Sequence, residues 1–221
     1  MRLSAMVAGS TAQGMTTENG NVVGEITLGG TVALILFGGV FAGLFGGLLY
    51  AALRPWLEPL GRWRGLIFGV GVLGLGGSLI LDADNSDFIV LRPPVFNVAA
   101  FALLFPIFGM VLAPTFDGVL RLLARGPRTS GVAALLASLF AALFLGLGLV
   151  SGLSALASGP TTADLVGLML LGMTIAGLAV RALAPRAMAS PSWMRATYAL
   201  LAGAVFVGAA RTLANVVRII T

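Results

Sequence analysis

Six runs of apolar residues, each of membrane-crossing length and separated by short polar breaks, constrain this chain more than any other feature. A crossing helix needs about 20 apolar residues, at about 1.5 Å rise each, to span roughly 30 Å of hydrocarbon. The runs fall near residues 29–53, 65–81, 95–119, 131–157, 164–184 and 196–218. The second is the shortest, a length that suits a nearly upright helix or a locally thinned bilayer. Backbone groups in lipid have no water to bond, and none of the runs alternates as a barrel strand does, so every run is expected to be helical.

Composition makes the same demand. Apolar residues are 58% of the chain and charged residues 10%, against roughly 25% charged in a soluble domain. Too few polar side chains remain to clothe a soluble bundle. The expected fold class is all-α: an integral membrane bundle of about six transmembrane helices, occupying residues 25–221. Residues 1–24 read as a non-cytoplasmic segment with room for a short interfacial helix ahead of a turn at Asn19-Gly20. The apolar stretch after Arg2 is too short for a signal peptide core.

Prolines and glycines punctuate the breaks. Pro55 and Pro59 close the first run, Pro93-Pro94 precede the third, and Gly126-Pro127, Gly159-Pro160, Pro185 and Pro191 mark the later loops. Arginine placement sets the orientation. Arg54, Arg62 and Arg64 lie between the first two runs, Arg121, Arg125 and Arg128 between the third and fourth, and Arg181, Arg186 and Arg195 between the fifth and sixth. The alternate loops carry Asp82, Asp84, Asp87 and Arg92, then Asp164. The bias places the arginine-rich loops in the cytoplasm and both termini outside. Trp56, Trp63, Trp193, Tyr50 and Tyr198 fall at the same ends, where amphipathic rings suit the headgroup layer. The net charge of +5, carried entirely by arginine, is thereby assigned to orientation, with no nucleic-acid partner.

Between helices in lipid, close packing replaces the hydrophobic drive. Gly39, Gly43 and Gly47 recur four apart on the first run, Gly65 and Gly69 on the second, Gly148 and Gly152 on the fourth, and Ala204 and Gly208 on the sixth. A close hairpin of the first two runs is expected, with homodimerisation as the alternative use of such faces. Pro106 and Pro114 invite kinks in the third run.

Residues with chemistry are few. Cysteine and histidine are absent, which removes disulfides, thiolate metal sites and the commonest neutral-pH proton shuttle. Gly148-Leu149-Val150-Ser151-Gly152 has the outline of a nucleophile turn but lacks an activating base. No lysine exists for a phosphate loop. No cofactor is expected. Asp82-Ala83-Asp84-Asn85-Ser86-Asp87 opens like a calcium loop, then puts Asp87 where glycine is required and Pro93 where a bidentate glutamate is required. A weak cation-attracting site at the outer mouth and a polar turn both remain open for it. On the last run, Arg211, Asn215 and Arg218 share one face. They form a candidate anion or lipid-headgroup site, with Glu25, Asp82, Asp84 and Asp87 as candidate acidic partners or cation ligands. Asp117 is expected to pair with Arg121, one turn later.

Gly24-Glu25-Ile26-Thr27-Leu28-Gly29-Gly30-Thr31 together with Leu81-Asp82-Ala83-Asp84-Asn85-Ser86-Asp87-Phe88 resembles a group of bacterial polytopic membrane proteins that carries no assigned activity. The resemblance implies a bacterial cytoplasmic membrane and the same multi-pass architecture. It also implies that Glu25 meets the aspartate loop at the outer surface. The functional expectation is a non-catalytic accessory, scaffold or lipid-interacting component, with a membrane-protein partner or a second copy. A small-solute or ion transporter and an outer-leaflet lipid-acting enzyme are the alternatives. Cysteines introduced at positions 25 and 84 are expected to cross-link in the folded protein, read by the gel shift of the closed loop; no cross-link counts against the juxtaposition.

Overall fold

The computed structural model describes residues 14–15, 22–23, 27–83, 88, 93–124, 131, 142, 145–154, 156–157, 159, 161–183 and 190–221. Helix α1, Leu28–Ala33, starts at Thr27, whose hydroxyl accepts from the Gly30 N–H at 3.0 Å. A π-helical stretch, Leu34–Phe41, carries it into α2, Ala42–Leu57. A 3₁₀ segment, Glu58–Trp63, leads to α3, Arg64–Gly76, which ends in a 3₁₀ turn, Gly77–Leu79. Then come α4, Pro94–Leu123, α5, Thr162–Leu183, and α6, Pro191–Ile220, with Leu145–Ser154 as a short helix between α4 and α5. No strand occurs among the described residues.

Three stretches of helix are long and apolar enough to cross a membrane: Leu28–Leu79, Pro94–Leu122 and Pro191–Ile220. The first has 52 residues, which as one straight rod would reach about 78 Å. It is not one rod. Gly61 sits at φ 55° and ψ −124° inside the 3₁₀ segment, a conformation open to glycine and strained for any L side chain. The chain reverses there, so that Tyr50 of α2 meets Phe68 of α3 edge to face at 5.1 Å. Near the far end of the hairpin, Phe41, Phe45 and Leu79 line one cleft.

Proline marks where α4 and α6 begin. Pro94 and Pro191 occupy first-turn positions, where the missing N–H costs nothing. Ser190 caps α6 by accepting from the Trp193 N–H at 3.2 Å. Helix α4 runs unbroken past Pro106 and Pro114, although each removes the donor for the carbonyl four residues earlier.

The glycine expectation is met at one seam and corrected at another. Helix α3 lies between α4 and α6 and packs on both. A Cβ added to Gly65 or Gly69 would strike the α4 backbone at Gly109 or Phe105, and one added to Gly109 would strike Gly65 in return. On the other side of α3, Gly74 and Gly208 make the same backbone approach to α6. Gly148 and Gly152 rest on the leucines of α5. The row Gly39, Gly43 and Gly47 has no described atom within 4 Å of its would-be Cβ positions, and Gly46 is the α2 glycine that is filled, by Phe108. The hairpin therefore forms, but its two arms are not joined by a glycine seam. The second arm spends its glycines on α4 and α6. Around this arrangement the core gathers Leu49, Tyr50, Leu57, Phe68, Leu75, Ala113, Val166 and Leu170.

Gly109→Ala is expected to destabilise the protein by about 1–3 kcal/mol, because the colliding atoms are backbone and cannot turn aside. Gly43→Ala is expected to be neutral or slightly stabilising, since a helix-interior alanine is favoured over glycine by roughly 0.5–1 kcal/mol. Unfolding by SDS titration, followed by tryptophan fluorescence, measures both; equal losses would remove the distinction between the two glycine rows.

Candidate functional site

The helices carry their charges to two ends. At one end, Asp117 near the close of α4 is reached by Arg64 at the start of α3 and by Arg54 near the close of α2. Arg64 pairs with one carboxylate oxygen, and Arg54 lies 3.9 Å from the other. Arg54 also pairs with Glu58 at 3.1 Å, one turn along. The side chain of Asp117 is 18% exposed and that of Glu58 56%, so the Asp117 contacts are the ones partly shielded from solvent screening. The expected partner of Asp117 was Arg121. Its Nε instead donates to the Asp117 backbone carbonyl at 3.3 Å, while the carboxylate turns across the helix seam. The reason is the Gly65–Gly109 approach, which brings Arg64 closer than a solvent-facing neighbour on the same helix.

Tyr50 lies under this cluster. It is wholly buried, its ring is held edge to face between Phe68 and Phe116, and its hydroxyl has no hydrogen-bond partner among the described residues. The Arg54 Nε, one turn on, is likewise buried and unpartnered. Alongside, a cleft of about 480 Å³ opens between the Gly61 turn and α4, lined by Gly61, Arg62, Arg64, Gly65, Met110 and Pro114, with Ala113. Arg62 stacks on Trp63, with its guanidinium carbon 5.1 Å from the ring centroid. The same end of the bundle holds Trp193 and Arg195 at the start of α6, tied down where the Tyr198 hydroxyl donates to the Trp56 carbonyl at 2.7 Å. Thus Arg54, Arg62, Arg64, Arg121 and Arg195 share one end with Trp56, Trp63 and Trp193.

The opposite end holds the site expected on α6. Arg211, Asn215 and Arg218 lie within that helix. Asn215 donates its amide N–H to the Leu81 carbonyl at 3.0 Å, beside Asp82. Asn215 thus reaches the backbone next to Asp82. The amide is committed to tying α6 to the end of the hairpin. Glu25, Asp84 and Asp87 lie outside the described residues. Asn97, near the start of α4, is buried to 1% exposure. Neither the cleft at Gly61 nor a second, largely apolar one of about 530 Å³ between α2 and α5 is lined by Arg211 or Asn97. Asp164 sits in the second cleft and caps α5, accepting from the Thr161 N–H at 2.8 Å and its hydroxyl at 2.6 Å. Among the described residues no three acidic side chains converge to hold a metal ion.

These features define a helical protein with three helices able to span a membrane and a basic, aromatic-rich end. No family model, curated protein or solved structure matches the chain.

Sequence reasoning treated Arg62, Trp63 and Arg64 as orientation and interface signals. It missed that Arg64 and Arg54 converge on Asp117, which lies 53 positions beyond Arg64. Asp117→Asn is expected to cost about 1–3 kcal/mol by leaving two partly buried guanidiniums short of an acceptor. Glu58→Gln is expected to stay within roughly 0.5 kcal/mol. Denaturant titration of both variants makes the comparison, and equal effects would mean that Asp117 does not organise the cluster.

Proposed function

We propose that this chain is a six-crossing protein of a bacterial cytoplasmic membrane, with both termini outside, serving as a non-catalytic accessory, scaffold or lipid-interacting component. The observation that supports it is the sorting of charge. The ionic groups collect toward the two ends, and between them α3 meets α4 and α6 through backbone contacts at glycine. The buried hydroxyls of Thr174 and Thr212 each donate to a carbonyl four residues back on their own helix, so these donors are satisfied locally.

Six crossings is our reading of three membrane-length stretches and two shorter apolar helices. The 52-residue stretch folds back at Gly61 and supplies two crossings. On this reading α4 and α6 supply one crossing each, and the shorter apolar helices Leu145–Ser154 and Asp164–Val180 belong to the remaining two. In that arrangement the end bearing Arg54, Arg62, Arg64, Arg121 and Arg195 faces the cytoplasm.

Because the sequence contains no cysteine, single cysteines report topology without background. Cysteines at 83, 161 and 221 are expected to react with an impermeant maleimide from outside intact cells, and those at 62 and 195 only after lysis. Labelling of 62 from outside would invert the orientation, and labelling of 83 and 161 from opposite sides would break the six-crossing count. Native mass spectrometry from the source membrane then tests the role: a stoichiometric protein partner supports an accessory component, and a lone chain that retains a small solute replaces it with transport.

A further inference from the structure

We propose that the cleft between the Gly61 turn and α4 binds a phosphate oxyanion, supplied in the membrane by the headgroup of an anionic phospholipid. This rests on the reading that the basic end of the helices lies at the lipid–water boundary.

Three observations converge on an anion. The first is unbalanced charge: Arg54, Arg62 and Arg64 face Glu58 and Asp117, and Arg62 forms no ion pair among the described residues. The second is unmet donor capacity. Arg62 and Arg64 bring guanidinium donors to the cleft wall, and behind that wall, outside the lining, the buried Arg54 Nε and the Tyr50 hydroxyl one turn away have no acceptor among the described residues. Such groups are seldom left without a partner. The cluster is thus rich in donors and short of oxygen. The third is shape. The cleft of about 480 Å³ falls within the roughly 300–1,000 Å³ of ligand pockets. At Gly61, at φ 55°, a Cβ would meet nothing within 4 Å, so the rim is open.

The chemistry favours phosphate. The Arg62 guanidinium carbon lies 5.1 Å from the Trp63 ring centroid, and a guanidinium held over a ring still has its N–H donors in its own plane. Arginine forks match the paired oxygens of a phosphate, and charge-assisted bonds of that kind are short and strong. Trp63 and Trp193 are exposed at the same end, 53% and 41%, as rings seated among headgroups are. Basic pockets between helices on the cytoplasmic side are where anionic lipid headgroups bind. The cleft lies at the opposite end of α6 from Arg211, so the two arginine sites can be tested against each other.

The test uses the full chain in mild detergent. Native mass spectrometry counts retained phosphatidylglycerol against phosphatidylcholine for the wild type, Arg62→Ala, Arg62→Lys and Arg211→Ala, with thermal unfolding confirming that each variant folds. The wild type is expected to retain phosphatidylglycerol selectively. Arg62→Ala is expected to weaken that retention about tenfold, the scale of one charge-assisted contact; Arg62→Lys falls between, and Arg211→Ala matches the wild type. Equal retention of the two lipids by the wild type, or an unchanged Arg62→Ala, overturns the proposal. Inorganic phosphate in millimolar excess separates the sources. If it binds the delipidated protein and Arg62→Ala abolishes this, the oxyanion site stands and free phosphate is its ligand; if it neither binds nor competes, the lipid is the source. Maleimide labelling of Arg195→Cys keeps the underlying reading separate. A labelled cysteine with no lipid selectivity sinks the site alone, and a cysteine unreactive from both faces sinks the boundary placement.

Discussion

The contact on which the rest of this molecule depends is the approach of two backbones, α3 against α4, at Gly65, Gly69 and Gly109. Helices in lipid gain nothing from hiding apolar surface, so association falls to dispersion and to the few polar bonds that close packing allows. Where glycine removes the side chains, the backbones themselves supply that contact. The crossing also fixes what lies beside it. Arg64 is the neighbour of Gly65, and Asp117 is two turns beyond Gly109 on α4, so the seam that joins the helices also delivers guanidinium to carboxylate. Tyr50 then fills the space below, against Phe68 and Phe116. Packing and electrostatics are one arrangement here.

Much of this was legible in the sequence, and the pattern of what was not is informative. Helix existence and the punctuation between helices could be read because proline, glycine and run length act locally. The clustering of arginine and tryptophan at one end could be read because it needs only the count of reversals. The hairpin could be read too, from the prolines and arginines between two apolar runs. Its seam could not. Gly39, Gly43 and Gly47 present as regular a row as Gly65 and Gly69, and only the position of other helices decides which row is filled. The pairing of Asp117 failed for the same reason. Sequence spacing offers Arg121 as the partner four residues on, whereas the winning contact depends on an interhelical distance that no local pattern encodes. Of the basic cleft, the residues were visible as interface markers. Their convergence was not, because it is made by a turn at Gly61 whose positive φ is a property of the backbone.

Asn215 illustrates how a polar residue on an apolar helix can be read in two ways. Its spacing with Arg211 and Arg218 suggested a shared ligand. The structure gives its amide a backbone acceptor at Leu81, a carbonyl where the hairpin runs out of helix and its regular donors end. The side chain thereby closes a helix terminus from another helix. Tyr198 does the equivalent for Trp56 at the other end.

Those two bonds have a consequence for the order in which the protein is made. The carbonyls of Trp56 and Leu81 emerge from the ribosome early, and their donors follow 142 and 134 residues later. Gly74 likewise waits for Gly208. The first hairpin is therefore inserted with its final partner unsynthesised and stays incomplete until the last helix arrives to clasp both ends. A chain that stops short of α6 leaves the Gly74 face of α3 uncovered and the carbonyls of Trp56 and Leu81 without these two donors.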